Sequence, residues 1–123
     1  MQSMIKGTWV SYFILMLNII FLVMGQMLFK FGLNKIGGVS ILTAWKAVFN
    51  PFIFTGLILY VIATLLWFVV LSRLPLAVAY PMQTLAYVLG IIMAVLLFHE
   101  QVSLIKWFGM LVIIVGVVLI AWE

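Results

Sequence analysis

Eight charged side chains punctuate this chain, and their spacing dictates what it can fold into. Lys6, Lys30, Lys35, Lys46, Arg73, Glu100, Lys106 and Glu123 leave uncharged runs of 23 residues at 7–29, 26 at 47–72, 26 at 74–99 and 16 at 107–122. A helix rises ~1.5 Å per residue and the hydrocarbon layer is ~30 Å thick, so ~20 mainly apolar residues cross it. The first three runs are long enough outright. The fourth becomes long enough once the Lys106 ammonium snorkels to the interface. The spacing therefore predicts an all-α membrane protein: four transmembrane helices, roughly 9–32, 51–73, 76–98 and 103–122, in one bundle that accounts for residues 1–123.

Composition closes the alternatives. A soluble domain is about 45–50% apolar and about a quarter charged, whereas this chain is 69% hydrophobic and 7% charged. A water-soluble globule is excluded, and the charges are too few to cover a second folded domain outside the membrane. A spanning sheet would alternate apolar and polar residues, but residues 91–98 and 111–121 are apolar on every side. The first apolar stretch is too long for a signal peptide and has no small-x-small cleavage site before Lys30, so it is expected to be retained. There is no cysteine, hence no disulfide and no thiolate metal site.

The joints are short. Asn34, Lys35, Gly37 and Gly38 separate the first helix from the next segment. Ser40 is placed to cap that segment, over 41–49, whose apolar Ile41, Leu42, Trp45, Val48 and Phe49 suit a helix lying in the membrane interface; an irregular loop rich in apolar residues is the other reading. Asn50-Pro51 opens the second helix, with proline where its missing N–H costs nothing. Arg73-Leu74-Pro75 makes a tight hairpin, and His99-Glu100-Gln101 closes the third helix. Trp9, Trp45, Trp107 and Trp122 stand at helix ends, where an aromatic belt is expected. Lys30, Lys35, Lys46 and Lys106 share one side of the membrane, and Lys6 and Arg73 the other. That bias puts loops one and three in the cytoplasm and both termini outside. If Lys30 is buried the bias shrinks to 3 against 2, and dual insertion becomes conceivable.

Polar residues inside spans are rare and call for a role. Helix one carries Asn18, Gln26 and Lys30. Helix two carries Tyr60, Thr64 and Trp67, and helix three Tyr80, Gln83, Thr84 and Tyr87, each a single stripe at helical spacing. Two readings stand side by side: hydrogen-bonded glue between helices, or the lining of a wet cavity. Asn18 and Thr64 suit the first, by bonding a neighbouring helix or their own backbone. The helix-three stripe suits the second as well as the first. Lys30 either snorkels to the headgroups or faces the bundle and attracts an anionic headgroup. Pro81 either bends helix three or is a first-turn proline, which its position favours. Gly109 and Gly116, two turns apart on helix four, read as close helix packing within or between chains.

Other chemistries find no support. One histidine, two carboxylates and no cysteine make no catalytic centre, metal cluster or phosphate loop, so no enzyme activity and no cofactor are expected. The net charge of +4 is spread over membrane edges, which argues against nucleic acid. No Asp or Glu lies in the middle of a span, where a proton-coupled pump usually keeps its carboxylate.

Gly25-Gln26-Met27-Leu28-Phe29-Lys30, Leu76-Ala77-Val78-Ala79-Tyr80-Pro81-Met82, Phe98-His99-Glu100-Gln101-Val102-Ser103, Trp107-Phe108-Gly109 and Val115-Gly116-Val117 occur in this order. Together they resemble the small four-helix members of the drug/metabolite transporter superfamily. Ala79-Tyr80-Pro81-Met82 and His99-Glu100 followed by Val102-Ser103 are most similar to EamA-like subunits that flip undecaprenyl phosphate–aminoarabinose across the bacterial inner membrane. The related small multidrug resistance proteins carry a glutamate where this chain has Leu22, and an aromatic site residue where it has Gln83. Their site tyrosine is matched by Tyr80, and their dimer glycines by Gly109 and Gly116. The resemblance thus implies a homodimer or a heterodimer with a similar small subunit, and not drug antiport.

The function expected is movement of an anionic polyprenyl-phosphate-linked sugar, or a similar lipid, between leaflets. Its head would pass along Asn18, Gln26, Tyr60, Trp67, Tyr80, Gln83 and Tyr87. Lys30 would receive the phosphate near the cytoplasmic face, while the tail stays among membrane lipids. Export of a small metabolite or cation, and a non-transporting accessory role beside a membrane glycosyltransferase, are the alternatives.

Overall fold

A computed structural model describes residues 2–122, with side chains from Trp9 to Trp122. Lys6 and Glu123, which belong to the charge pattern, lie outside the described side chains. Every regular element among the described residues is helical: α1 (Gln2–Ile36), a 3-10 segment (Ala44–Phe49), α2 (Pro51–Arg73), α3 (Leu76–Gln83), α4 (Leu85–Phe98) and α5 (Leu104–Trp122). Among the described residues four stretches are long and apolar enough to cross a membrane: Trp9–Ile36, Pro51–Arg73, Leu76–Phe98 and Leu104–Trp122. The third is made of α3 and α4 in succession.

The ends form where local chemistry places them. Asn50 Oδ1 accepts from the N–H groups of Phe52 (2.9 Å) and Ile53 (3.3 Å), capping α2 ahead of Pro51. The Leu74 N–H closes α2 on the Val70 carbonyl at 2.8 Å, and Pro75 starts α3 without a spacer. His99 ends α4 in the left-handed region (φ 53°), a conformation that histidine adopts more readily than most side chains. The first helix runs four residues past the expected end. Asn34 and Lys35 stay helical, and Gly37 and Gly38, at φ 90° and 97°, stop it by donating to the Leu33 carbonyl.

The segment over 41–49 is a turn followed by 3-10 helix, and not one interfacial α-helix. Ser40 and Thr43 bond each other reciprocally: the Ser40 N–H donates to Thr43 Oγ1 (2.9 Å) and the Thr43 N–H to Ser40 Oγ (3.3 Å). The expected apolar exposure is there, since Ile41, Leu42, Trp45 and Phe49 all face outward. Ala47 alone is buried, against α1 and α2.

Packing is tightest between α1 and α2. On α1, Ser11, Leu15, Asn18, Gly25 and Gly32 are buried at steps of four, three and seven; on α2, Ile53, Gly56, Ala63 and Val70 are buried at steps of three and seven. Both seams follow the seven-residue repeat of a left-handed helix pair. Small residues bring the backbones together. A Cβ on Gly25 would stand 3.1 Å from the Gly56 carbonyl oxygen, and one on Gly56 would stand 2.9 Å from the Gly25 oxygen. The core cluster is Leu15, Ile19, Val23, Val70 and Ala79, with Met82, Leu85 and Leu89 packed over it. It therefore sits where α1, α2 and the third span meet. Helix α5 lies on α3 and α4, burying Met110 and Val117.

The third span is broken. Pro81 has no N–H to give the helix. The Thr84 N–H and hydroxyl both turn back onto the Pro81 carbonyl, and the Tyr87 N–H bonds Thr84 three residues behind. Proline sits inside α3 and ends it, so the first-turn reading gives way to the bend.

A neutral cavity between the first three spans

A cavity of about 880 Å³ opens between α1, α2 and the broken third span. It gathers the seven residues of the expected head path, Asn18, Gln26, Tyr60, Trp67, Tyr80, Gln83 and Tyr87, together with Thr64 and Thr84 of the same stripes. The two stripes on the second and third spans thus face each other across one space, with helix one as the floor. Trp67 and Tyr80 meet edge to face at 6.4 Å and 89°, and Phe29 supports the Tyr60 ring at 6.4 Å.

Two of the hydrogen bonds foreseen as glue are present. Thr64 spends its hydroxyl on the Tyr60 carbonyl of its own helix, at 2.9 Å. Asn18, 1% exposed, donates from Nδ2 to the Ala63 carbonyl at 2.6 Å and accepts at Oδ1 from Gln83 Nε2 at 3.0 Å. One amide on α1 therefore ties α2 to the end of α3. Its orientation is fixed, because a carbonyl oxygen can only accept. Turning the amide round would face two oxygens and leave a buried acceptor unpaired, at a cost of roughly 1–3 kcal/mol.

No charged side chain among the described residues lines this cavity. Leu22, at the position where the small multidrug resistance proteins carry glutamate, is one of its walls. The lining offers phenols, amides, an indole and apolar surface, a set that hydrogen-bonds and stacks without a formal charge. Lys30 is elsewhere. It borders a second hollow of about 520 Å³ with Leu33, Asn34, Gly37, Gly38 and Val39, at the far end of α1. The structure thus brings seven predicted residues together and sets the eighth apart.

Sequence reading overlooked Gly90, Ile91 and Ala94, which also line the cavity. They continue the Tyr80–Gln83–Tyr87 stripe at the same three-to-four spacing, but they are not polar. The signal was the stripe's period, and two of these small side chains create room where a large one would fill it. Gly109 and Gly116 do not pack within the chain: a Cβ built on either meets nothing within 4 Å. The intrachain glycine contact belongs to Gly25 and Gly56 instead.

Four membrane-crossing helices, three of them walling a partly polar chamber, have the build of a multi-pass transporter. The chain belongs to the EamA-like transporter family, whose model matches residues 1–122. It is an integral protein of the bacterial inner membrane. Among curated proteins it is similar to the probable 4-amino-4-deoxy-L-arabinose-phosphoundecaprenol flippase subunit ArnE of Pseudomonas fluorescens, at 32% identity over 114 residues, 92% of this chain and 98% of the relative. The protein of the same name from Aeromonas salmonicida is 40% identical over 76 residues, 62% of this chain and 67% of the relative. That from Escherichia coli O81 is 44% identical over 59 residues, 48% and 53% of the two chains. No solved structure matches.

Proposed function

We propose that this chain is one subunit of a flippase that carries a polyprenyl-phosphate-linked amino sugar from one leaflet to the other. The observation that carries the reading is the neutral cavity. Its aromatic faces and amide groups suit a sugar, whose C–H faces stack on rings and whose polar substituents seek hydrogen bonds. Among the described residues it has no cation to hold a phosphate at depth and no carboxylate to hold a metal.

The phosphate is given to Lys30 in the second hollow. A lysine near a helix end keeps its charge in the headgroup zone at small cost, and attraction of an anionic lipid there amounts to about 1 kcal/mol per basic residue. The prenyl tail needs no pocket, because the outward faces of all four spans are apolar and already solvated by lipid. The names of the relatives, which specify an aminoarabinose on phosphoundecaprenol, support this division of the head into a sugar and an anion.

The partner is a second small subunit of similar build, or a second copy. The open face of α5 at Gly109 and Gly116 supports association there.

Reconstitution tests the reading. Vesicles are loaded with the amino-sugar lipid on the inner leaflet only, and its amine is titrated from outside with an impermeant amine-reactive reagent. Reagent-accessible lipid should rise with time in vesicles carrying this chain and its partner, and stay at the level of empty vesicles without them. No rise with either a second copy or the partner subunit present sinks the proposal.

A further inference from the structure

Gln83 presents an acceptor to the cavity, and the polarity is inherited from a backbone carbonyl on another helix. The chain of constraints starts at Ala63, whose oxygen can only accept and therefore holds the Asn18 amide by its Nδ2. Asn18 must then offer Oδ1 to its other neighbour, so Gln83 must answer with Nε2. That takes one of the two Nε2 hydrogens of Gln83 and fixes which way its amide faces. Its Oε1 accepts from no described residue. No buried side-chain nitrogen or oxygen among the described residues lacks a partner, so an unpaired Oε1 is not buried. The open space that Gln83 borders is the cavity. A free glutamine can turn its amide to match a donor or an acceptor; this one cannot without losing its bond to Asn18 and setting its oxygen against Asn18 Oδ1.

We infer that Asn18 is a positioning residue that sets the substrate preference of the cavity: it locks Gln83 carbonyl-first, so the site selects a head that donates a hydrogen bond at that point, an ammonium or hydroxyl, over one that only accepts. This deepens the amino-sugar reading and rests on it for the identity of the head. A ligand with a carbonyl in that place meets the Gln83 oxygen with its own oxygen, and neither has a proton to share. The Trp67–Tyr80 pair on the cavity wall adds electron-rich ring faces that favour a cationic donor in the same direction.

The test separates polarity from transport. Two octyl glycosides, one bearing a 4-amino group and the other a 4-oxo group on the same sugar, are bound to the full-length protein in detergent and followed by Trp67 fluorescence, with Trp67→Phe as blank. The wild type should bind the amino glycoside roughly tenfold more tightly, the value of one hydrogen bond made against one denied. In Gln83→Met that ratio should fall to about one. In Asn18→Leu it should also fall, because the Gln83 amide is then free to turn. If Asn18→Leu does not fold, Gln83→Met carries the comparison, since it keeps Asn18 and its bond to Ala63. Equal affinities in the wild type, a preference for the oxo sugar, binding of neither, or a ratio unchanged in Gln83→Met each overturn the inference. Lipid transport in vesicles is scored separately. Transport with no head preference removes only this inference, and a preserved preference without transport removes only the flippase reading.

Discussion

Gly25 and Gly56 face each other across α1 and α2 so closely that each backbone oxygen occupies the space next to the other's missing side chain: 3.1 Å from a Cβ on Gly25, 2.9 Å from one on Gly56. In lipid, where the tails are as apolar as the side chains, close approach of this kind is what holds helices together. The Phe29 ring stands 2.9 Å from the same Gly56 position and closes the contact from the side.

Gly56→Ala should therefore destabilise the first helix pair by about 1–3 kcal/mol, the usual cost of forcing a methyl into a packed seam. Gly90→Ala, where an added Cβ meets nothing within 4 Å, should leave stability within about 0.5 kcal/mol. Thermal unfolding in detergent compares the two, and equal melting temperatures would show that the seam yields freely.

Gly32→Ala should be the more damaging change in α1. The added carbon would fall 2.5 Å from Ile53 Cγ1 and 2.7 Å from the Asn50 oxygen that caps α2. Lost capping is worth about 1 kcal/mol beyond the overpacking. Proteolysis of the loop at 37–50, followed by mass spectrometry, should show faster cutting than in Gly25→Ala.

Lys30→Gln should lower transport of the phosphate-linked sugar about fivefold, the equivalent of the ~1 kcal/mol attraction of one basic residue for an anionic headgroup. Lys30→Arg should restore most of it. Transport that is the same in all three proteins would take Lys30 out of the path.

Gly116→Leu should leave the folded chain as stable as before, because nothing lies near that position inside it. It should weaken association between chains. Cross-linking in native membranes reads the second effect and thermal unfolding the first; unchanged cross-linking would move the interface away from this face.

Cysteines placed at Lys35 and Arg73 should label from opposite sides of the membrane, the first from the cytoplasm. The chain has no native cysteine to interfere. Equal labelling of each from both sides would mean dual insertion.

The spans were legible because hydrocarbon accepts so little charge that eight residues suffice to mark their edges. Loop chemistry was legible for a related reason: Asn50-Pro51 and Arg73-Leu74-Pro75 act on backbone within a few residues and need no distant partner. Helix faces were harder. Where lipid and core are both apolar, hydrophobic periodicity disappears, and only polar side chains betray which way a helix turns. Asn18, Gln83 and the tyrosine stripe did so, and seven of the eight chosen site residues line one cavity. Lys30 lies apart from them, one turn beyond Gln26, at the helix end where its phosphate role was expected. Which glycines pack inside the chain was hidden for want of the same information. Gly25 and Gly32 are seven apart on α1 just as Gly109 and Gly116 are on α5, and only tertiary packing distinguishes a filled seam from an open one. Pro81 shows the limit of position as a guide: near a helix start it costs little, yet with Thr84 folding back onto its carbonyl it divides the span.

Helix α5 leans on α3 and α4, while α1 and α2 are locked to each other. Between these pairs, with the chamber at the junction, run the contacts of α1 with α3 and α4, the small apolar cluster, the Phe31–Phe98 and Trp67–Tyr80 ring pairs and the amide clasp from Asn18 to Gln83. Swinging the third span and α5 away from α1 and α2 would break that clasp and the ring pairs while leaving the Gly25–Gly56 seam whole.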